Sequence, residues 1–189
     1  MPKANHQPMI SRIMLLFGLA GLYIACGGSP QPALHEEAPA VDLIVYSYYH
    51  TDPKTPFEQE ENTIIDYLGA NFPDAMRLDS GIYLKILEPG EGEALQWGDL
   101  IQVNYKVSFV DGRMIDGTER RGEPLKTYIG NGVDGWNQVM QQLRVGSHAV
   151  FALNSVRAYQ DKGLGKAIPP DTPLIFEVTI EQKLDPNGY

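Results

Sequence analysis

Reactive side chains are sparse in this 189-residue chain, and few are set in a pattern that could do chemistry. The four histidines, His6, His35, His50 and His148, are scattered, and with one cysteine no Cys/His metal site can be assembled. Neither a Gly-x-Ser-x-Gly elbow nor a Walker loop occurs, and Gly163-Leu164-Gly165 is a lone Gly-x-Gly without a following helix. Carboxylates are plentiful, but no motif pairs two of them for acid/base work. No cofactor and no metal are therefore expected. The one reactive group with a distinctive setting is the thiol of Cys26, directly behind an apolar run.

That run, Ile13 to Ala25, follows a polar start that carries Lys3 and Arg12. It is short for a bilayer span, which needs about 20 residues, but fits a signal-peptide core of about 7–15. Ala25 supplies the small residue before a cleavage point. Leu22-Tyr23-Ile24-Ala25-Cys26 resembles a bacterial lipobox, with Tyr23 where that motif usually has Leu. The expectation is a signal peptide over residues 1–25 and lipid on Cys26. Residues 26–40, rich in Gly, Pro and Ala, then read as a flexible tether. Gly27 rather than Asp after Cys26 points, by analogy with enteric sorting, to the outer membrane of a Gram-negative-type envelope, facing the periplasm.

Composition limits the rest. Hydrophobic residues make up 43% and charged residues 21%, a globular balance. The net charge of −9 becomes more negative once the basic leader is removed, which argues against nucleic acid as a partner. Residues 41–78 read as an N-terminal extension with one strand and one helix. The strand is Val41 to Tyr49, β-branched and aromatic. The helix opens with Thr55 as N-cap, Pro56 next and Glu58 completing a capping box; Phe57, Ile64, Ile65 and Leu68 share a face, and Asn71 and Pro73 end it. Such a stripe must pack on something, most simply on the domain that follows.

From Gly81 the pattern is mainly β. Ile82 to Leu87, Leu100 to Phe109, Leu125 to Ile129, Ser147 to Leu153 and Leu174 to Ile180 read as strands, with a hairpin at Asp111-Gly112. One helix, Trp136 to Leu143, stands among them. The class is α+β with a mainly antiparallel sheet.

These pieces resemble the FKBP-type peptidyl-prolyl isomerases. Motifs that match in family order are Pro89-Gly90-Glu91-Gly92, Val103-Asn104-Tyr105, Asp111-Gly112 with Ile115-Asp116, and Val133-Asp134-Gly135-Trp136. Val145-Gly146, Ala158-Tyr159, Ile168-Pro169-Pro170 and Leu174 to Val178 follow. The resemblance implies a domain over residues 79–184, with 185–189 as a tail, and a curved antiparallel sheet wrapped around the short helix. It also implies an apolar pocket between them, with Trp136 as floor and Tyr105, Phe176, Ile115, Leu125, Val133 and Ile168 as walls. Tyr159 would offer its hydroxyl to a substrate carbonyl, Asp116 would sit at the rim with Arg121 beside it, and Leu164 would lie on the flanking loop. The sequence departs from the family at Ile115 and Leu125, where Phe is usual, at Gln160, usually Gly, and at Leu164, often His.

The activity implied is rotation about Xaa–Pro bonds in exported proteins, aiding their folding. The alternative is a non-catalytic module that grips proline segments or a partner protein. The extension's helix is too short for the long stalk of some dimeric relatives, so a monomer is expected.

Overall fold

The computed structural model describes residues 44–187. Cys26, the signal segment and the tether lie outside that range, as do the last two residues of the tail. Helix α1 runs Pro56–Asn71. The Thr55 hydroxyl accepts from the Glu58 amide at 3.2 Å, while the Glu58 carboxylate accepts from the Thr55 amide at 3.0 Å. Two otherwise unpaired backbone donors are thus satisfied at the first turn.

The seven strands of the described residues are β1 (Met76–Asp79), β2 (Ile82–Glu88), β3 (Leu100–Phe109), β4 (Met114–Gly117), β5 (Leu125–Tyr128), β6 (His148–Leu153) and β7 (Leu174–Leu184). They form one antiparallel sheet in the order β1-β2-β6-β7-β3-β4, and β5 also pairs with β3. Helices α2 (Thr118–Arg121) and α3 (Asp134–Met140) complete the fold. The Asp111-Gly112 hairpin joins β3 to β4, with Gly112 at φ 84° where a side chain would be strained.

Two cores use the two sides of the sheet. On one, α3 buries Trp136, Val139 and Met140 against Ile82, Leu84, Val103, Phe151, Phe176 and Val178. The second core joins Ile64, Ile65 and Leu68 of α1 to Tyr83, Val150, Ala152 and Ile175. The alternation of β6 explains both: Ala149, Phe151 and Leu153 belong to the first core, Val150 and Ala152 to the second. The stripe expected on α1 therefore packs on the sheet itself, although Phe57 stays half-exposed at its start.

One expected element is different. Residues 41–49 read as a strand, but from Ile44 to Tyr48 the chain forms a 3-10 turn. Val45 is fully buried in the α1 core while Tyr46, Tyr48 and Tyr49 stay over a third exposed, so no strand-like alternation is used. The Tyr46 ring lies so close to Gly69 that a Cβ there would come within 2.3 Å of it. Aromatic residues that pack on a helix need no hydrogen-bonded ladder. The strand of the extension is instead β1, which pairs with β2.

Beneath α1, Glu61 is only 1% exposed and holds three partners. Tyr83 Oη and Arg77 Nη2 each donate to Oε1 at 2.8 Å, and His50 Nε2 lies 2.8 Å from Oε2. Burial alone would push this carboxyl up. The His50 and Tyr83 hydrogen bonds and the Arg77 charge outweigh it and bring it below its ordinary value. A carboxyl held low in the native state lends stability above its unfolded value, about 4.3, and that stability is lost as pH falls through the lower folded value. Glu61→Gln should lower unfolding free energy at pH 7 by about 3 kcal/mol in urea titrations, and its stability should fall less than the wild type's between neutral pH and pH 3.

Candidate active site

The pocket is built upward from Trp136, third residue of α3 and 6% exposed. Phe176 from β7 and Phe151 from β6 stack on each other at 4.9 Å with planes 7° apart. Both meet the indole edge-on, at 5.7 and 5.9 Å between centroids, and Tyr105 from β3 does so at 6.1 Å. Edge-to-face packing on several sides leaves the indole little freedom to turn. Its approach to the chain also needs glycine: a Cβ on Gly132 would lie 2.4 Å from Trp136 Cδ1. Asn137, one residue past the tryptophan, fixes that loop. Its Oδ1 accepts from the amides of Gly130 at 2.9 Å and Gly132 at 3.2 Å, and its Nδ2 donates to the Gly132 carbonyl at 2.7 Å.

Above the indole is a cavity of about 190 Å³. Tyr105, Leu125, Val133, Tyr159 and Phe176 line it with Trp136, joined by Thr127, Asn131 and Gly132. A larger groove of about 610 Å³ lies between β3, β7 and the α2 loop, but Asn104, Lys106, Glu119, Glu123 and Glu177 make it polar. An apolar ring would prefer the smaller cavity, so the candidate site is there.

One charged pair backs the Tyr105 wall of the cavity. Asp116 Oδ2 accepts from the Tyr105 hydroxyl at 2.6 Å and from Arg121 Nη2 at 2.5 Å. Arg121 also lies over the Tyr105 ring, 5.7 Å from its centroid. Burial pushes the Asp116 carboxyl up, but the Tyr105 hydroxyl, Arg121 and the Gly117 amide hold it below its usual range. Burial and the bond to Asp116 push the Tyr105 phenol up to about 12. The Tyr159 phenol is raised as well, by burial and by the Asp116 charge. The Tyr105 proton is committed to Asp116. Thr118 pins Tyr105 from behind: its hydroxyl accepts from the Tyr105 amide at 3.2 Å and donates to the Tyr105 carbonyl at 3.3 Å.

The residues expected from the sequence do not all reach the cavity. Tyr105, Leu125, Val133, Trp136, Tyr159 and Phe176 line it; Asp116 and Arg121 do not, but they pair with each other, and Asp116 bonds the cavity-lining Tyr105. Ile115 and Ile168 pack against or within the core without lining the cavity. Leu164 is 49% exposed and bridges back to Ile168. Thr127, Asn131 and Gly132 line the cavity and Phe151 braces its floor, and no sequence motif marks any of the four. Alternation along β6 puts Phe151 on the Trp136 side, but nothing in the sequence distinguishes it there from an ordinary core residue. Among the described residues, no three of His, Cys, Asp and Glu are grouped to hold a metal ion.

Fold and site together define a domain with a small cavity above a fixed indole, walled by aromatic and aliphatic side chains and two tyrosines. A family profile described as FKBP-type peptidyl-prolyl cis-trans isomerase matches residues 91–181. The chain is 32% identical over 103 residues to FK506-binding protein 1 of Yarrowia lipolytica, a match over 53% of this chain and 95% of that protein. It is 28% identical over 107 residues to a probable FKBP-type isomerase of Haemophilus influenzae, covering 57% of this chain and 44% of that one. A solved peptidyl-prolyl isomerase from Pseudomonas syringae pv. tomato aligns with TM-score 0.61 and 25% identity, over 72% of this chain and 100% of that one. The chain belongs to the FKBP-type peptidyl-prolyl cis-trans isomerase family. It spans nearly all of the yeast relative but under half the length of the Haemophilus one.

The departure at Gln160 has a local consequence. Its φ is 57°, in the left-handed region where glycine is at ease and a longer side chain is strained. The turn keeps that backbone because the Asp171 amide donates to the Gln160 carbonyl at 2.9 Å and the Gly163 amide to that of Tyr159 at 3.1 Å. Gln160→Gly should raise unfolding free energy by about 0.5–1 kcal/mol, read from chemical denaturation.

Proposed function

We propose that this protein is a peptidyl-prolyl cis-trans isomerase of the bacterial cell envelope, held to a membrane through lipid on Cys26, acting on proline-containing segments of exported proteins. The observation that carries the activity is the indole of Trp136, fixed by Tyr105, Phe151 and Phe176 at the base of a cavity of about 190 Å³ walled mainly by aromatic and aliphatic side chains. A proline ring can lie over that floor while the preceding carbonyl stays free to turn.

The barrier to rotation is about 18–20 kcal/mol because the amide has double-bond character. No covalent bond is broken, so the reaction needs no nucleophile. The planar amide is the more charge-separated form, and a dry wall of Leu125, Val133 and Phe176 favours the twisted one. Tyr159, which lines the cavity, donates its hydroxyl to the substrate carbonyl. Asp116 restrains the Tyr105 ring through its hydroxyl, and Arg121 neutralises the carboxylate. Lowering the barrier by about 4 kcal/mol already gives about a thousandfold rate gain. The alternative, a module that grips proline segments without turnover, is favoured by Leu164, which at 49% exposure offers apolar contact but no hydrogen bond beside the site.

The envelope setting rests on the basic start, the apolar run and Cys26, and the outer membrane on Gly27. Two or more acyl chains would hold the protein stably. The chain's negative charge disfavours nucleic acid, and the short α1, already packed on the sheet, suits a monomer.

Exchange NMR on Xaa-Pro peptides should show catalysis by the wild type, about three- to tenfold less with Tyr159→Phe, and over about a hundredfold less with Trp136→Leu. Wild-type protein that binds these peptides without speeding exchange for any Xaa would establish the non-catalytic module instead. Growth with labelled fatty acid should mark the wild type and leave Cys26→Ser unmarked; an unmarked wild type rules out the lipid.

A further inference from the structure

Tyr159, the residue to which the proposed reaction gives a hydrogen bond, stands on a loop tied to the N-terminal extension. Two residues before it is Arg157, at the end of a 3-10 turn, Ser155–Arg157. The Arg157 guanidinium makes a three-way bridge. Nη2 donates to Asp79 Oδ2 at 2.7 Å, Nε to the Ser80 carbonyl at 3.0 Å, and Nη1 to Asp134 Oδ2 at 2.8 Å. Asp79 ends β1, and Asp134 is two residues before Trp136 in α3. One side chain thus joins the end of β1, the helix that carries the indole and the turn that leads to Tyr159.

A second tie runs parallel to it. Glu60 of α1 accepts from both the amide and the hydroxyl of Ser155, each at 2.8 Å. Asn154 caps the same turn, its Oδ1 accepting from the Arg157 amide at 3.1 Å, and it packs on Gly81 so closely that a Cβ there would lie 2.4 Å away. Glu60, Asp79, Ser80 and Gly81 all precede residue 91, where the family match begins.

We infer that Arg157 is a positioning residue for isomerisation: with Asp79 and Asp134 it sets the distance between the Tyr159 hydroxyl and the Trp136 floor. Through Glu60 and through β1, whose last residue is Asp79, the extension is part of the active site's support. An arginine fork fits this task because its donors diverge in a rigid plane, so three acceptors fix its orientation as well as its position. The inference rests on the isomerase reading above, and its test separates the two.

Asp79 is half-exposed, so Asp79→Ala should fold, and Asp79→Asn keeps the shape while removing the charge. In the full chain, Asp79→Ala should lower kcat/KM about fivefold, and in a Tyr159→Phe background by less than about twofold. The Tyr159 ring resonances of the free protein supply a readout independent of turnover. Asp79→Ala should shift or broaden them and leave those of Tyr128 on β5 in place, with Asp79→Asn intermediate. Equal losses in the two backgrounds, or no loss in folded Asp79→Ala, overturn the positioning role. Unmoved Tyr159 resonances overturn it even if the wild type is inactive on every peptide, which would sink the isomerase reading separately.

Discussion

Along β6 the side chains of Ala149, Phe151 and Leu153 belong to the core beneath α3, while Val150 and Ala152 belong to the core beneath α1, so from Ala149 onward the strand meets water on neither face. Its neighbour β7 repeats the division, with Phe176 and Val178 on one side and Ile175 on the other. A sheet covered only by α3 would leave Tyr83, Val150, Ala152 and Ile175 uncovered, a contiguous apolar surface of the kind soluble monomers rarely expose. Helix α1 removes it. The pocket therefore depends on a helix that contributes no residue to it, because β6 and β7 carry the Phe151–Phe176 stack that braces Trp136.

That stack also explains how the site can do with aliphatic residues at positions 115 and 125. Leu125 supplies an aliphatic wall, and Ile115 withdraws into the surrounding core. Exclusion of water depends on apolar surface more than on aromatic character, so a leucine wall keeps the cavity dry. What aliphatic residues cannot provide is the directional edge-to-face packing that fixes an indole. Here Tyr105, Phe151 and Phe176 provide it from the floor. Thr127 and Asn131 bring polar groups to the cavity wall, while Asp116, behind Tyr105, is shared by a hydroxyl and a guanidinium and presents little net charge.

Features governed by neighbours in sequence were legible; those governed by packing across the fold were not. The capping box of Thr55 and Glu58, the Asp111-Gly112 hairpin and the apolar face of α3 are each complete within a few residues, and each stands where its spacing predicts. The aromatic run over 44–48 misleads because β propensity reports suitability for a half-buried surface, and a helix flank can supply that surface as well as a sheet can. Strand β1 is only four residues long, and its pairing with β2 supplies what its own pattern lacks. Glu61 looks like any exposed helix carboxylate until Arg77 and Tyr83 are brought to it from strands well along the chain. Motif order made most of the pocket readable, but it could not tell Ile168, which is buried in the core, from a cavity-lining residue.

The polar ties between extension and domain are distributed in a way that burial alone would not require. The α1 core is already dry, and Glu61 is fully partnered within it. Glu60, one residue earlier, turns outward to the Ser155 turn, and Asp79 reaches the same segment from the end of β1. Both ties converge on the residues just before Tyr159, whose own turn contains the left-handed Gln160. A strained turn relaxes if its ends are free, so its conformation has to be held by contacts on either side. On the far side, the Asp171 amide bonded to the Gln160 carbonyl does this; on the near side, the bridges to Glu60 and Asp79 do. A glycine at residue 160 would adopt the turn without such support. With glutamine there, the extension does more than cover an apolar face: it holds one end of the turn that presents Tyr159 to the cavity.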